Sequence, residues 1–453
     1  MWEREIEMHQ SLSISPINWQ ELEAIAGAES VKTLEQADPK WSQAIARAMG
    51  AGLQPPQAIV FPDSAEKLAE VMTCAYKQGW RVLPCGAGSK LTWGGLIQAA
   101  DLLVSTARLN RLIDHAIGDL TITAEAGVRF ADLQHQLAQA NQFLALDPAF
   151  AEQATLGGIV ATADTGSLRQ RYGGVRDMLL GISFVRADGL IAKAGGRVVK
   201  NVAGYDLMKL FTGSYGTLGI VTQMTFRVYP QSEASESVLV QGEVAALEQV
   251  RSTVLRSGLT PIAMDWLSPP LASQLTDAAT TVPALLLKFQ AIAPSVTLQV
   301  QRVKELAQSL QLAAIGLTGD LETQLWQQLQ THLAAANQPD QTICKVGVLP
   351  ASATLWFQQL ERLAPKGFGQ IHAASGLGRL VFTEPVEANL LLTLRRFCQE
   401  HNGFLTVLQA TPAIKQQLDP WGDVGTALSV MQLVKRQFDP NGVLSPGRFV
   451  GGI

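Results

Sequence analysis

Apolar positions along the chain fall into two rhythms that alternate with one another. Ala58-Ile59-Val60-Phe61 is a short continuous apolar run closed by Pro62, and it predicts a buried strand. Leu68, Val71, Met72 and Ala75 then recur at helical spacing, with Asp63 and Glu66 in a capping-box pattern before them and Gly79 as a stop. Residues 81–83 predict a second strand, so the first clear unit is β-α-β. Residues 101–105 predict another strand, and 120–125 alternate with period two up to Gly127. Phe130, Leu133 and Leu137 share one helix face, and a strand over 143–146 is ended by Asp147-Pro148. Residues 178–186 and 190–193 flank Asp188-Gly189 as a hairpin, and 220–229 read as a clear strand.

Past residue 232 the texture shifts to Ala, Gln and Leu. Strands are predicted at 238–241, 262–266, 284–289, 343–347, 369–372, 380–382 and 404–408. Helices are predicted at 244–256, 296–312, 321–333, 354–363 and 386–400, with a last one at 427–438. Strand–helix alternation with some adjacent strands points to an α+β domain.

Three blocks of small residues interrupt the first half. The strand at 81–83 feeds Pro84-Cys85-Gly86-Ala87-Gly88-Ser89-Lys90, followed by Leu91-Thr92-Trp93-Gly94-Gly95. Successive unblocked N–H groups in such a loop form a concavity that suits phosphate oxygens; a surface loop is the other reading. The block is neither G-x-G-x-x-G nor a G-K-[ST] loop, which argues against nicotinamide and ATP sites. Residues 154–163 look helical but carry Gly157 and Gly158 in the first turn, at a cost of about 1 kcal/mol each relative to alanine. An anion at the helix N-terminus, or a flat ligand lying on the backbone, would compensate; close packing on a sheet is the alternative. The third block, 195–230, crowds Gly195, Gly196, Gly204, Gly213, Gly216 and Gly219 around two short apolar runs.

Bulk numbers narrow the function classes. A chain of 453 residues implies two or three domains. A net charge of −4 gives no electrostatic footprint for nucleic acid. Mean hydropathy is +0.13, yet no stretch approaches the roughly 18–20 apolar residues a span needs. The charged start MWEREIEMHQ lacks a secretory apolar core, so a cytoplasmic protein is expected, meeting a membrane only through a partner. Cys74, Cys85, Cys344 and Cys398 are scattered, which argues against a chain-internal iron–sulfur cluster, a zinc ribbon or a disulfide framework.

Taken together, PCGAGSKLTWGG, DPAFAEQATLGGIVATADTG with YGGVRD, and GGRVVKNVAGYDLMKLFTGSYGTLGIVT resemble the FAD-binding domain of the vanillyl-alcohol oxidase/para-cresol methylhydroxylase (PCMH) family. Within it the chain is similar to the glycolate oxidase and D-lactate dehydrogenase branch. The string K-N-V-A-G-Y-D-L from Lys200 to Leu207 is similar to the small FAD-binding subunit of bacterial glycolate oxidase, and the ending from Phe438 to Arg448 fits too. The resemblance implies an α+β protein. Residues 1–51 would be an N-terminal extension, and 52–231 a PCMH-type FAD-binding domain of two α/β subdomains. Residues 232–425 would be an α+β cap, and 426–453 a tail returning to the FAD domain.

Carried over by motif, the loop from Pro84 through Gly86, Ala87, Gly88, Ser89 and Lys90 would hold the pyrophosphate of FAD. Pro148, Thr155, Gly157, Gly158, Thr162 and Gly166 would line the path to the flavin, and Ile220 and Val221 would meet the adenine end. Residues 84–95 contain no histidine for covalent attachment, so FAD is expected to be non-covalent. The chain departs from the branch in the cap. Where catalytic relatives carry H-x-G-D-G-N-x-H, it reads Ile371-His372-Ala373-Ala374-Ser375-Gly376-Leu377-Gly378-Arg379, with one histidine and no acidic partner. A lone histidine makes no metal site. His372 is either a general base or a residue of a strand-end turn, and Arg379 and Arg448 are candidate carboxylate binders.

Three readings of function stand at this point. One is the FAD-binding subunit of a glycolate oxidase complex, with a second flavoprotein subunit and an iron–sulfur subunit as partners. The second is a self-sufficient dehydrogenase of a small 2-hydroxy acid, and the third is a non-catalytic assembly subunit.

Overall fold

The computed structural model describes residues 16–50, 52–197, 204–276, 280–334 and 341–453. Residues 200–203, the first four of the K-N-V-A-G-Y-D-L string, lie outside the described residues. The strands form three main sheets, two in the first half of the chain and one in the second.

The first sheet runs Val31–Lys32, Ala58–Val60, Leu102–Ser105, Val82–Cys85, with the last three strands parallel. The helix Ala65–Gln78 crosses between them and buries Leu68, Val71, Met72 and Ala75. Its cap is Ser64, whose Oγ accepts from the Lys67 amide, rather than Asp63; the Asp63 carboxylate pairs with Lys67 Nζ at 3.0 Å instead. Gly79 ends the helix in a left-handed conformation, φ 72°. Residues 17–48, expected as part of an N-terminal extension, pack on the first sheet. Val31–Lys32 adds a strand to this sheet, and Trp41 and Ile45 of the helix Pro39–Ala48 pack with Ile59, Leu83 and Leu103. An amphipathic helix with a buried tryptophan has nowhere to put that face except against the sheet.

The second sheet runs Leu112–Ala116, Thr121–Glu125, Ile220–Arg227, Leu179–Val185, Ile191–Gly195, and every pair is antiparallel. The second subdomain sets its helices on this antiparallel sheet, and the α+β fold expected of the chain holds. The strand expected over 143–146 is only Gln142–Phe143, paired with Tyr229–Pro230.

The cap is one antiparallel sheet of eight strands. Its order is Ala313–Thr318, Ala234–Gln241, Ala284–Ala291, Ala263–Leu267, Phe368–His372, Leu377–Phe382, Thr342–Gly347, Phe404–Gln409. Seven of these match predicted strands; the edge strand Ala313–Thr318 was missed. One face packs Val240, Val250, Leu287, Trp356 and Leu391 into a core under four helices. The other face is partly covered by the helix Gly319–Ala334, through Leu325, Leu329 and Leu333. Where that helix ends its cover, Gln370, Arg379, Lys345 and Thr406 stand opposite one another on four neighbouring strands. No helix covers a row this polar without stranding its charges, and the row turns instead toward the first half of the chain.

The tail closes the molecule. Val82 is bridged to Leu444, and Lys435 Nζ donates to Thr217 O at 2.9 Å, Leu444 O at 2.8 Å and Asp439 at 2.5 Å.

Candidate active site

A cleft of about 800 Å³ lies between the first two sheets. One wall is the loop after the strand Val82–Cys85. The main-chain N–H groups of Ala87, Gly88, Ser89 and Lys90 donate to no protein acceptor among the described residues. Gly88 takes φ +83°, and a Cβ there would lie 2.8 Å from the Trp41 ring. A row of free N–H groups in a loop turned by a positive φ is a nest for an anion.

The opposite wall is the helix Leu156–Thr162. Its first-turn amides are already used: Leu156 N donates to Val128 O, Gly157 N to Ala126 O and Gly158 N to Thr155 Oγ1. The anion expected at this helix N-terminus has no free donor there, and the free amides facing the cleft are those of residues 87–90. The two glycines have different reasons. A Cβ on Gly157 would sit 2.9 Å from the Ala126 Cβ, a packing constraint. One on Gly158 would meet only Thr155 Oγ1, at 3.4 Å, and its open side faces the cleft. A buried Ser445 Oγ without a hydrogen-bond partner among the described residues lies beyond Gly216, the residue that turns the cleft floor at φ +73°. A donor-rich cleft with no carboxylate among its described lining residues suits a dinucleotide diphosphate and a flat ring system.

Thr162 and Tyr215 line both this cleft and a second chamber of about 1360 Å³ beneath the cap. Tyr215 is a non-glycine residue at φ +54°, held by its ring against Trp421 at 4.7 Å and Phe449 at 5.7 Å. Burial pushes its phenol well above the usual range.

Across the chamber, His372 Nδ1 is 2.6 Å from Asp265 Oδ1. Asp265 is fully buried and stands opposite His372 in the sheet register. Gln370 Nε2 donates to the other Asp265 oxygen and to Ser167 Oγ, both at 3.0 Å. An Nδ1–H donated to Asp265 leaves Nε2 as an acceptor, and Nε2 has no protein partner among the described residues.

Asp164 forms an ion pair with Lys90 Nζ at 2.6 Å and accepts from the Arg379 guanidinium and from the Ala149 amide at 2.8 Å. Burial works against its charge, but Lys90 and Arg379 together hold the carboxyl below its ordinary range. Asp147 accepts from the amides of Gly166 and Leu168, yet burial lifts its carboxyl to about 6.

Two cations remain uncommitted. Lys345 has no hydrogen bond or ion pair among the described residues, and burial pushes its ammonium down. Arg169 gives one nitrogen to Thr165 Oγ1, at 2.9 Å, while its Nε is buried without a partner. Cations held this way are poised for an incoming carboxylate.

Residues 56–195 match the family described as "FAD binding domain". The free amides at 87–90 and the open side of Gly158 fit the cofactor on independent grounds. The chain is 29% identical over 225 residues to glycolate oxidase subunit GlcD of Bacillus subtilis, covering 49% of the chain and 48% of the relative. It is 32% identical over 206 residues to glycolate oxidase subunit GlcE of Escherichia coli, covering 45% and 57%. It is also 31% identical over 268 residues to a probable D-lactate dehydrogenase of Danio rerio, covering 56% and 52%. The chain thus spans about half the length of these curated relatives. The fold of the FAD binding domain and its cap is that of PCMH-type flavoproteins: p-cresol methylhydroxylase superposes with a TM-score of 0.74 at 15% identity, over 95% of each chain.

Pro84, Gly86, Ala87, Gly88, Ser89, Lys90, Thr155, Gly157, Gly158, Ile220 and Val221 line the cleft. Pro148 and Gly166 line the chamber, with His372 and Arg379, and Thr162 belongs to both. Lys90 sends its side chain away from the cleft to Asp164. Arg448 does not join the chamber group. It lines the cleft, and its two terminal nitrogens donate to Gly95 O at 2.7 Å and Trp93 O at 2.8 Å. Asp265, Lys345, Asp164 and Arg169 were missed by sequence reasoning. Asp265 and Lys345 had a signal: each is the one charge in an otherwise uncharged strand, Ala263–Leu267 and Thr342–Gly347.

Proposed function

We propose that the chain is an FAD-dependent oxidoreductase that dehydrogenates the CH–OH group of a 2-hydroxy acid. The observation that carries this is the juxtaposition, in one chamber beside the cofactor cleft, of an Asp265-held histidine with an open Nε2 and the unpaired Lys345. Lys345 and Arg169 bind the substrate carboxylate, and Arg379, already tied to Asp164, borders it. His372 Nε2 takes the hydroxyl proton, and the Asp265 carboxylate fixes the tautomer and balances the imidazolium that forms. FAD, when bound, supplies the hydride acceptor. Tyr215 and the aromatic cluster around it form an apolar wall where the chamber meets the cleft. FAD is held non-covalently, so acid precipitation of the holoprotein leaves the yellow chromophore in the supernatant.

The names of the GlcD and GlcE relatives favour a second reading at the level of assembly. In it the chain is the FAD-binding subunit of a glycolate oxidase complex that turns glycolate into glyoxylate and passes electrons to an iron–sulfur partner. The four scattered cysteines support it, since cluster ligands would then belong to another chain. One experiment separates the two readings. The FAD-loaded chain is purified alone and mixed anaerobically with glycolate or D-lactate while the flavin bands are followed. Bleaching within seconds is expected. A chain that holds FAD but does not bleach with any 2-hydroxy acid would leave only the subunit reading.

A further inference from the structure

On the sheet side of the chamber, Gln370, Arg379, Lys345 and Thr406 form one polar row. One step outward from Arg379, Lys345 and Thr406, the same three strands carry Leu377, Gly347 and Phe404. The glycine lets the Phe404 ring lie across the row: a Cβ at 347 would fall 2.3 Å from that ring. Phe404 is 40% exposed and still lines the chamber, an aromatic face that folding alone does not cover. On the other side of the polar row stand Leu329, Leu333 and Trp326. Trp326 has spent its indole N–H on Ser237 Oγ, at 2.9 Å, so it adds no donor for a ligand. A substrate as small as glycolate, which has no side chain, would meet the polar row and leave both flanks wet.

We propose that the Leu377–Phe404 wall receives the substrate's own side chain, so that the chain selects 2-hydroxy acids with an extended apolar side chain over glycolate. This rests on the carboxylate and histidine assignments above. The physical basis is burial of apolar surface against a wall already in place, which strengthens binding by roughly fourfold per methylene.

The test uses the FAD-loaded full chain and a series of 2-oxo acids, the products of the proposed reaction, which bind without reducing the flavin. Glyoxylate, pyruvate, 2-oxobutyrate and 2-oxohexanoate are titrated, and perturbation of the flavin spectrum gives Kd. Kd is expected to fall about fourfold for each added methylene. Phe404→Ala, at a part-exposed position that tolerates truncation, should flatten the series, and Leu377→Ala should do so in part. A series that is flat or rises with length in the wild-type protein overturns the assignment, as does an unchanged slope in both variants. Turnover of the matching hydroxy acids is read separately. A steep binding series without flavin bleaching keeps the apolar wall and refutes the dehydrogenase reading. Bleaching with a flat series does the reverse.

Discussion

Asp265 and His372 meet across two antiparallel strands, and nothing in the local sequence of either announces the other. The motif around His372 shows one histidine and no acid nearby, because the acid comes from a different strand. Sheet register, not sequence proximity, builds the pair, which is why this part of the site was illegible beforehand. Asp265→Asn is expected to preserve the fold, since an amide fits the same space and can still meet Gln370. It should also allow the imidazole the wrong tautomer. Flavin reduction should slow about 10²–10⁴-fold while FAD content and 2-oxo acid affinity stay near wild type. Equal losses in affinity and rate would mark Asp265 as merely structural. Asp164 gives a pH signature. Its carboxyl lies below the ordinary value in the folded chain, so it stabilises above the unfolded pKa near 3.8 and loses that contribution as pH falls through the folded value. Asp164→Asn should cost about 3–5 kcal/mol at neutral pH, because Lys90 and Arg379 are left buried with less compensation. The deficit should shrink in acid, as measured by chemical denaturation from pH 7 to pH 3.

At the scale of elements, the helix Leu156–Thr162 makes the sharpest case. Its two glycines look alike in sequence and differ in three dimensions. Gly157→Ala pushes a methyl against Ala126 and should destabilise by about 1–3 kcal/mol, with FAD affinity little changed in the folded fraction. Gly158→Ala has room within the protein and should leave thermal stability of the apoprotein intact or slightly raised, while weakening FAD binding severalfold. Thermal denaturation without FAD and a fluorescence titration with it check both; identical behaviour of the two variants would refute the distinction. Strands of the cap were largely legible because each is a half- or fully buried apolar run with turn residues at its ends. Ala313–Thr318 was not, since an edge strand of Ala and Gly with only part-buried side chains carries no clear alternation. The capping of the helix Ala65–Gln78 was misread by one residue for a related reason: Asp63 and Ser64 both suit a cap, and only the backbone conformation of Ser64 decides.

On the scale of the whole molecule, the glycine blocks revealed the cofactor domain because a ligand lying on the main chain imposes residue types that show in sequence. The chamber under the cap left no such trace, since it is assembled from side chains of four strands and one helix of the cap, from residues 147–169 of the FAD binding domain and from the tail. For residues 1–51 the sequence left open packing on the main body or on a partner, because Ala/Gln/Glu-rich helical patches look alike in either place. Only the structure shows Trp41 braced against Gly88 at the turn of the anion-binding loop.

Asp164 receives one cation from that loop, one from the cap, and an amide from its own domain. The two halves of the chain are therefore not interchangeable modules, although their sheets are separate. A cap grafted from a relative would bring its own substrate wall. Unless it also brought a cation to the place of Arg379, it would leave a carboxylate at the heart of the junction with half its neutralising charge. Swapping specificity in this architecture is thus a problem of charge balance at the seam before it is one of pocket shape.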